Sequence, residues 1–267
     1  MQLIQKQVDG LYVEMLDMTP GWVSNPETIV FHHGVGANLE LWDKWIPVLA
    51  PHYQILRFDM RCFGRSVAGV RPDCWTMPSL AQDVVMLGDE FAIPRFHFVG
   101  ESIGGTIGLV LALNHLQRLI SLTVSNAAYR GGAIQNVSSW HKVLMEQGAQ
   151  AWSKEMMEAR FYRDGITVEQ WQWFEHQQAS HPLDSIVQAR NILVDSDLGN
   201  DLARITIPVL LLHGDNSPFV PVDQMVDMHK RLPNNEMHIF GHAKHGLPFS
   251  HGKECADLLS VFLKRQR

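Results

Sequence analysis

Short apolar runs alternate with longer amphipathic runs along the first half of the chain. The apolar runs end in polar or glycine-containing turns, which is where a buried strand would leave a sheet. Nearly continuous apolar strands separated by helices are typical of a parallel sheet that is covered on both faces. The pattern predicts strands at residues 28–34, 53–60, 96–100 and 120–126 and helices at residues 38–50, 79–92 and 104–116.

The alternation stops after residue 126, where a segment rich in Trp, Met and Gln with helical periodicity begins. The later part of the chain predicts two more strands and a closing helix, at residues 207–214, 238–246 and 254–265. We therefore predict an α/β fold with a mostly parallel central sheet flanked by helices. Residues 1–126 and 202–267 would form the core, and residues 127–201 would form an inserted helical cap.

The composition narrows the range of functions. The chain has 267 residues, 46% of them hydrophobic, which is enough to bury a large core. The net charge is -6, and the longest cationic run is the KRQR at residues 264–267. Without a charged block, nucleic-acid binding and electrostatic attachment to a membrane are not expected. No run approaches the roughly 18 apolar residues of a membrane span, and no signal peptide is visible, so we expect a cytoplasmic protein.

The cysteines and histidines give no sign of a metal centre. Cys62, Cys74 and Cys255 lack metal or redox spacing and are expected to be reduced packing residues. His32 and His33 are adjacent, and neighbours on a strand point to opposite faces. None of the 14 histidines forms the helical zinc-binding pattern with an intervening Glu. We expect neither a metal nor an organic cofactor.

The motif Gly100-Glu101-Ser102-Ile103-Gly104 stands between a predicted strand and a predicted helix. A nucleophile on a sharp strand-to-helix turn is held in a strained backbone conformation, and small residues two before and two after it allow the close packing. The N–H of the following residue then faces the position of a developing oxyanion. We predict that Ser102 is a nucleophile and that Ile103 supplies one oxyanion donor.

A serine hydroxyl is a poor nucleophile without a base, and the downstream candidates are His242, His245 and His251. His245 precedes a glycine and lies a short loop before the final helix. From there it can reach over the carboxyl-terminal edge of the sheet. We therefore predict that His245 is the base, with His242 as the alternative.

A second glycine-rich turn follows the first predicted parallel strand. Gly34 and Gly36 give a tight loop in which the Val35 N–H can face inward. A donor of this kind typically stabilises the transition state by about 3 kcal/mol. We predict that Val35 is the second oxyanion donor.

Taken together, these motifs resemble the α/β-hydrolase superfamily over nearly the whole chain. The signatures are HGVG from residue 33, DMRCFGRS from 59, GESIGG from 100, IPVLLLHGD from 207 and the late histidine. Within the superfamily the chain is most similar to the 3-oxoadipate enol-lactonase and esterase group. The resemblance implies the same roles for Ser102 and His245, and for Val35 and Ile103 as oxyanion donors.

The resemblance breaks down at the acid of the catalytic triad. Relatives usually carry an Asp four residues before the Pro of a Val-Pro pair, and that position is Ser217 here. A serine cannot supply a negative charge to an imidazolium. In some relatives the acid follows the preceding core strand, where this chain has Asn126. Asp215 lies in the same loop as Ser217, and we predict that it is the triad acid; Asp223 is expected to start the next helix.

We therefore expect a serine hydrolase that cleaves a small carboxylic ester or lactone through an acyl-enzyme. A cap rich in large apolar residues favours a small-molecule substrate with an apolar or aromatic portion. Two alternatives share the scaffold: hydrolysis of a carbon–carbon bond in a β-diketone-type ring-cleavage product, and a non-catalytic ligand receptor. The cap residues expected to roof the site are Trp140, Trp152, Trp171, Trp173, Met156 and Met157, and those that could meet a substrate carboxylate are Arg130, Arg160, Arg163 and Arg190.

Overall fold

The computed structural model describes residues 2–66 and 75–266. The strands in this part of the chain are β1 (Gln2–Val8), β2 (Leu11–Asp17), β3 (Thr28–His32), β4 (Gln54–Phe58), β5 (Phe96–Glu101), β6 (Leu119–Ser125), β7 (Val209–Gly214) and β8 (Asn235–Phe240). They form one sheet in the order β1-β2-β4-β3-β5-β6-β7-β8. Neighbours from β4 to β8 run parallel, and β1 and β2 join antiparallel. This confirms the predicted mostly parallel sheet.

Helices cover both faces of this sheet. They are α1 (Ile46–Leu49), α2 (Met77–Glu90), α3 (Ile103–Asn114), α4 (Val137–Arg160), α5 (Val168–Ser180), α6 (Leu183–Val194), α7 (Val222–Arg231), α8 (Leu247–Ser250) and α9 (Gly252–Lys264). Strand β3 is buried at all five positions, and its successive side chains point to opposite faces of the sheet. Val30 packs into the cluster that contains α2 and α3, whereas Ile29 and Phe31 pack into the cluster that contains α1 and α9.

Two of the predicted helices differ from the observed ones for reasons that their first turns show. The single helix predicted over residues 38–50 is a 3-10 turn at Leu39–Trp42 followed by the short α1. Pro47 stands in the first turn of α1, and a proline without an N–H suits a helix start better than a helix interior. Helix α2 begins earlier than predicted because Thr76 caps it, with its side chain accepting the N–H of Ser79 at 3.1 Å.

The hairpin of β1 and β2 was not predicted from the sequence. Its two-residue turn is Asp9-Gly10, with φ values of 48° and 82°. An Asp-Gly pair between alternating apolar residues is a strong hairpin signal, because both residues tolerate positive φ. The signal was therefore present in the sequence, although the exposed β1 has little apolar character to mark it as a strand.

Between β6 and β7 the chain forms three helices, α4 to α6, which we call the helical segment. Gly148 interrupts α4 with a φ of 82°. The boundaries of the cap at residues 127 and 201 stay a prediction. Cys62 and Cys255 are free thiols, and Cys74 lies outside the described residues. None of the helices in the described ranges is long and apolar enough to cross a membrane.

Candidate active site

Ser102 occupies the turn between β5 and α3. Its backbone has φ 55° and ψ -122°, a conformation that costs a non-glycine residue free energy and persists where the surroundings enforce it. A Cβ on Gly100 would lie 2.2 Å from the carbonyl oxygen of Gly104, and a Cβ on Gly104 would lie 2.5 Å from that of His32. Because both contacts are to backbone, these glycines allow the strand and helix to meet closely and present Ser102 to the cleft.

The loop between β8 and α8 carries His245, whose Nε2 lies 3.1 Å from Ser102 Oγ. The residue is 4% exposed and packs edge-on against Phe219, with 4.8 Å between ring centroids. Burial, assisted by the positive charge of Arg160, lowers the pKa of His245 well below its usual 6.5. The imidazole is therefore neutral near pH 7 and able to accept the Ser102 proton.

The other two candidate bases have different partners. His242 stacks on Tyr162 with 4.1 Å between ring centroids, and its Nε2 lies 3.0 Å from Asp164 Oδ1. His251 Nδ1 lies 2.9 Å from Ser250 Oγ. Of the three histidines, it is His245 that the structure brings to Ser102.

The second ring nitrogen of His245 faces Ser217, at the position where the resemblance implies an acid. Ser217 Oγ lies 3.2 Å from His245 Nδ1 and accepts the Val220 N–H at 3.4 Å. When Nδ1–H donates to this oxygen, Nε2 is left as an acceptor for the Ser102 hydroxyl. Ser217 can therefore orient the ring, but it places no negative charge beside it.

The prediction that Asp215 orients His245 is wrong. Asp215 Oδ1 accepts the backbone N–H of Ala243 at 3.0 Å, and Oδ2 accepts that of His242 at 3.1 Å. Asp215 follows β7 directly, and its own N–H donates to the Phe240 carbonyl at the end of the adjacent β8. Its carboxylate therefore binds the backbone of the loop after β8. The side chain that contacts the His245 ring is that of Ser217, two residues later.

Asn126, at the end of β6, holds the same loop from the opposite end. Its Nδ2 donates to the carbonyls of Lys244 and His245 at 3.1 and 2.7 Å, and its Oδ1 accepts the Gly214 N–H at 3.0 Å. A carboxylate in this place could not donate to two carbonyl oxygens. Asn126 therefore positions the backbone of His245, a role that the sequence did not indicate.

Because Asp215 acts on a loop, Asp215→Asn is expected to lower kcat by less than about tenfold and stability by about 1 kcal/mol. Asparagine keeps one oxygen acceptor for the two N–H groups. Ester hydrolysis and urea unfolding, each compared with the exposed Asp223→Asn control, measure the two effects. Loss of a true triad acid lowers kcat by roughly 10⁴-fold, so a fall of that size would restore Asp215 to the triad.

Of the two predicted oxyanion donors, Val35 lines the cleft and Ile103 directly follows Ser102. The Val35 carbonyl accepts a hydrogen bond from Arg160 Nη2 at 2.5 Å, and Arg160 Nε donates to Gln178 Oε1 at 2.7 Å. These contacts fasten the loop after β3 to the ends of α4 and α5. Ile103 is the first residue of α3, so its N–H has no acceptor within that helix. The role of Val35 and Ile103 as oxyanion donors stays a prediction.

A cleft with a cavity volume of about 60 Å³ opens beside Ser102 and His245. Its other polar lining residues are Asn126, Arg160 and Arg190. The apolar wall consists of Val35, Ala128, Ile134, Trp140, Trp152, Met156, Leu193, Phe219 and Val220.

The residues expected to roof the site divide into two groups. Trp140, Trp152 and Met156 line the cleft. Trp171 packs on Phe161, Trp173 stacks on Phe249, and Met157 is buried in the cluster that contains α9. Among the candidate cations, Arg160 and Arg190 line the cleft, whereas Arg130 pairs with Asp197 and Arg163 with Glu158.

Glu101, the residue before Ser102, was assigned no role from the sequence. It is 1% exposed, and its Oε1 lies 3.7 Å from Arg160 Nη1 and 3.8 Å from His245 Nε2. Burial raises the pKa of Glu101 to about 7, although Arg160 and the Gly34 N–H act to lower it. The available signal was an acidic residue at the end of a predicted buried strand, since buried charges are rare unless they are paired.

The site thus combines a serine on a strained turn, a buried histidine and a narrow apolar cleft. Within residues 2–66 and 75–266, no group of three His, Cys, Asp or Glu side chains is placed to hold a metal ion. Residues 27–186 match the family model described as alpha/beta hydrolase fold. The match covers more than half of the sequence, and the chain belongs to this family.

Individual relatives resemble the chain along most of its length. "Putative carbamate hydrolase RutD" of Caulobacter sp. (strain K31) is 28% identical over 246 residues, which are 90% of each chain. "3-oxoadipate enol-lactonase 2" of Acinetobacter baylyi is 28% identical over 198 residues, 73% of each chain. The enol-lactonase structure from Burkholderia xenovorans LB400 is 21% identical, with a TM-score of 0.86 over 98% of this chain and 100% of that chain. It shows the same fold.

Proposed function

We propose that this protein is a serine hydrolase that cleaves a small carboxylic ester or lactone through an acyl-enzyme on Ser102. The observation that carries the proposal is the 3.1 Å approach of Ser102 Oγ to His245 Nε2, on a turn whose backbone is held at φ 55°. A nucleophile and a base within hydrogen-bond distance, with the base oriented by a third group, are the usual signature of covalent acyl transfer.

In the proposed reaction, Ser102 Oγ attacks the carbonyl carbon while its proton passes to His245 Nε2. The carbonyl oxygen becomes an oxyanion that the N–H groups of Val35 and Ile103 stabilise. When the tetrahedral intermediate collapses, the bond to the leaving oxygen breaks and His245 returns its proton to that oxygen. A water molecule then attacks the acyl-enzyme and gives a proton to His245. When the second tetrahedral intermediate collapses, the bond to Ser102 Oγ breaks, His245 returns that proton to Oγ, and the carboxylic acid is released.

The cleft argues for a short acyl group with apolar surroundings. About 60 Å³ of cavity is available beside the nucleophile, and most of the lining is apolar, which suits a small substrate held by a few polar groups. Arg190 Nε is buried and has no hydrogen-bond acceptor among the described residues, so it can receive a polar substituent of the substrate. The names of the relatives, an enol-lactonase and a carbamate hydrolase, are consistent with acyl chemistry on small molecules.

A series of p-nitrophenyl esters tests both the reaction and the size of the acyl group. The acetate and butyrate are expected to be hydrolysed with kcat/KM values at least about tenfold above that of the dodecanoate, because a long acyl chain does not fit the cleft. Release of p-nitrophenolate measures the rates, and δ-valerolactone and a simple alkyl carbamate form two further arms of the panel.

The alternatives give different results in the same panel. Inactivity on every ester and lactone, together with turnover of a vinylogous β-diketone, would assign the protein to carbon–carbon bond hydrolysis. Ligand binding without turnover of any substrate, unaffected by Ser102→Ala, would identify a receptor.

A further inference from the structure

The proposed reaction creates a positive charge on His245, and the neighbouring fixed charge has the same sign. The Arg160 guanidinium is 5% exposed and remains protonated, and its charge is one reason why the pKa of His245 is low. Ser217, on the Nδ1 side of the ring, is neutral. A buried imidazolium beside a buried guanidinium requires a compensating anion if the proton transfer is to be fast.

A carboxylate is present on the opposite side of the ring from Ser217. Glu101 Oε1 lies 3.8 Å from His245 Nε2 and 3.7 Å from Arg160 Nη1, so it is close both to the guanidinium and to the ring nitrogen that gains the proton. Both carboxylate oxygens are buried, and the group that favours their charged form besides Arg160 is the backbone N–H of Gly34. Glu101 Oε2 packs on Gly34, where a Cβ would lie only 2.0 Å away. The absence of a side chain at Gly34 therefore makes room for this carboxylate.

We propose that Glu101 supplies the negative charge that stabilises protonated His245, while Ser217 orients the ring, so that two residues share the work of the usual triad acid. The inference rests on the proposed function of Ser102 and His245. Glu101 acts through His245 and is a positioning residue, since its carboxylate neutralises Arg160 and attracts the proton that arrives on Nε2. Charge interactions of this kind are strong at a buried site, where water does not screen them.

The other titratable groups of the cluster keep one charge state near neutral pH. Burial lowers the pKa of His213 on β7 and of His33 after β3 to about 4, and that of His181 after α5 to about 3. His32 on β3 behaves in the same way, with a pKa of about 3. Between pH 6 and 8, Glu101 is therefore the member of this cluster that changes its charge.

A double-mutant cycle between positions 101 and 217 tests the proposal. Glu101→Gln is expected to slow the reaction of Ser102 with a fluorophosphonate by roughly 30-fold, within the coupling range of neighbouring groups. In a Ser217→Asp background the same change is expected to cost less than about threefold, because an aspartate at 217 provides the charge from the Nδ1 side. Glu101→Asp, which keeps the charge, is expected to retain more activity than Glu101→Gln. Equal losses in both backgrounds would overturn the proposal.

The pH dependence of the inactivation rate and a titration of the His245 ring distinguish an effect of the Glu101 charge from a loss of structure at this position. The wild-type inactivation rate is expected to rise through pH 7 as Glu101 ionises, whereas the rate of Glu101→Gln stays flat from pH 6 to 8. The NMR titration of the His245 ring is expected to show a lower pKa in Glu101→Gln than in the wild type, and an unchanged or higher value would refute the role of Glu101. If the wild type fails to react at all, the proposed function fails, and the ring titration still decides the inference.

Discussion

Ser102→Ala is expected to abolish covalent labelling by a fluorophosphonate and to lower kcat for p-nitrophenyl acetate by roughly 10³- to 10⁶-fold. The reason is that Ser102 Oγ is the hydroxyl within 3.1 Å of His245 Nε2, so its removal leaves the base with no nucleophile to activate. Intact-protein mass spectrometry measures the label as one phosphonyl group per chain, and peptide mapping locates it.

Ser217→Ala is the matched control, because it removes a second hydroxyl that contacts the same imidazole from the Nδ1 side. This variant is expected to keep the fluorophosphonate label on Ser102. Urea unfolding should show that both variants remain folded, since neither change empties a large volume. A labelled Ser102→Ala protein, or an unlabelled wild type, would contradict the nucleophile assignment.

The sequence allowed the central sheet and the Ser102 turn to be predicted for the same physical reason. Strands that are buried on both faces carry short continuous apolar runs, such as residues 29–31 in β3 and 209–212 in β7, and such runs stand out from the amphipathic helices between them. The glycines around Ser102 are required by backbone contacts within a few residues of the chain. Local constraints of this kind leave a local pattern in the sequence.

The residues that hydrogen-bond to the loop carrying His245 could not be predicted in this way. Asp215 and Asn126 are separated by almost ninety positions, yet they hold the same loop, one by accepting N–H groups and the other by donating to carbonyls. Several acidic or polar residues lie near this edge of the sheet. The one that contacts the imidazole is determined by how the loop after β7 is placed relative to the loop after β8. The spacing of residues along one loop does not indicate where the other loop lies, and for this reason Asp215 was assigned to the triad in error.

Glu101 was missed for a related reason. The sequence of the nucleophile motif does not show in which direction the side chain of Glu101 points. The residues that surround this side chain come from other parts of the chain. Arg160 reaches the cluster from the end of α4 and His245 from the loop after β8. A charge in the nucleophile motif therefore interacts with a charge in the helical segment, although almost sixty residues separate Glu101 from Arg160.

The same burial that gives Glu101 its proposed role is expected to cost stability at neutral and alkaline pH. Burial raises the pKa of Glu101 from its ordinary 4.5 to about 7, so the folded protein holds this proton more tightly than the unfolded chain. The resulting contribution to stability is full below pH 4.5 and is lost as the pH rises to 7. Glu101→Gln, which stays neutral, is therefore expected to be more stable than the wild type by about 3 kcal/mol at pH 8 and by about 1 kcal/mol at pH 5.

Urea unfolding of both proteins at the two pH values measures this difference, with Glu146→Gln on the exposed face of α4 as the control. The control is expected to change the free energy of unfolding by less than about 0.5 kcal/mol at either pH. A gain in stability at pH 8 combined with slower reaction of Ser102 is the pattern expected of a charge retained for function. If Glu101→Gln instead destabilises the protein equally at both pH values, the carboxylate mainly holds Arg160 in place, because removing one member of a buried pair leaves the other charge unpaired.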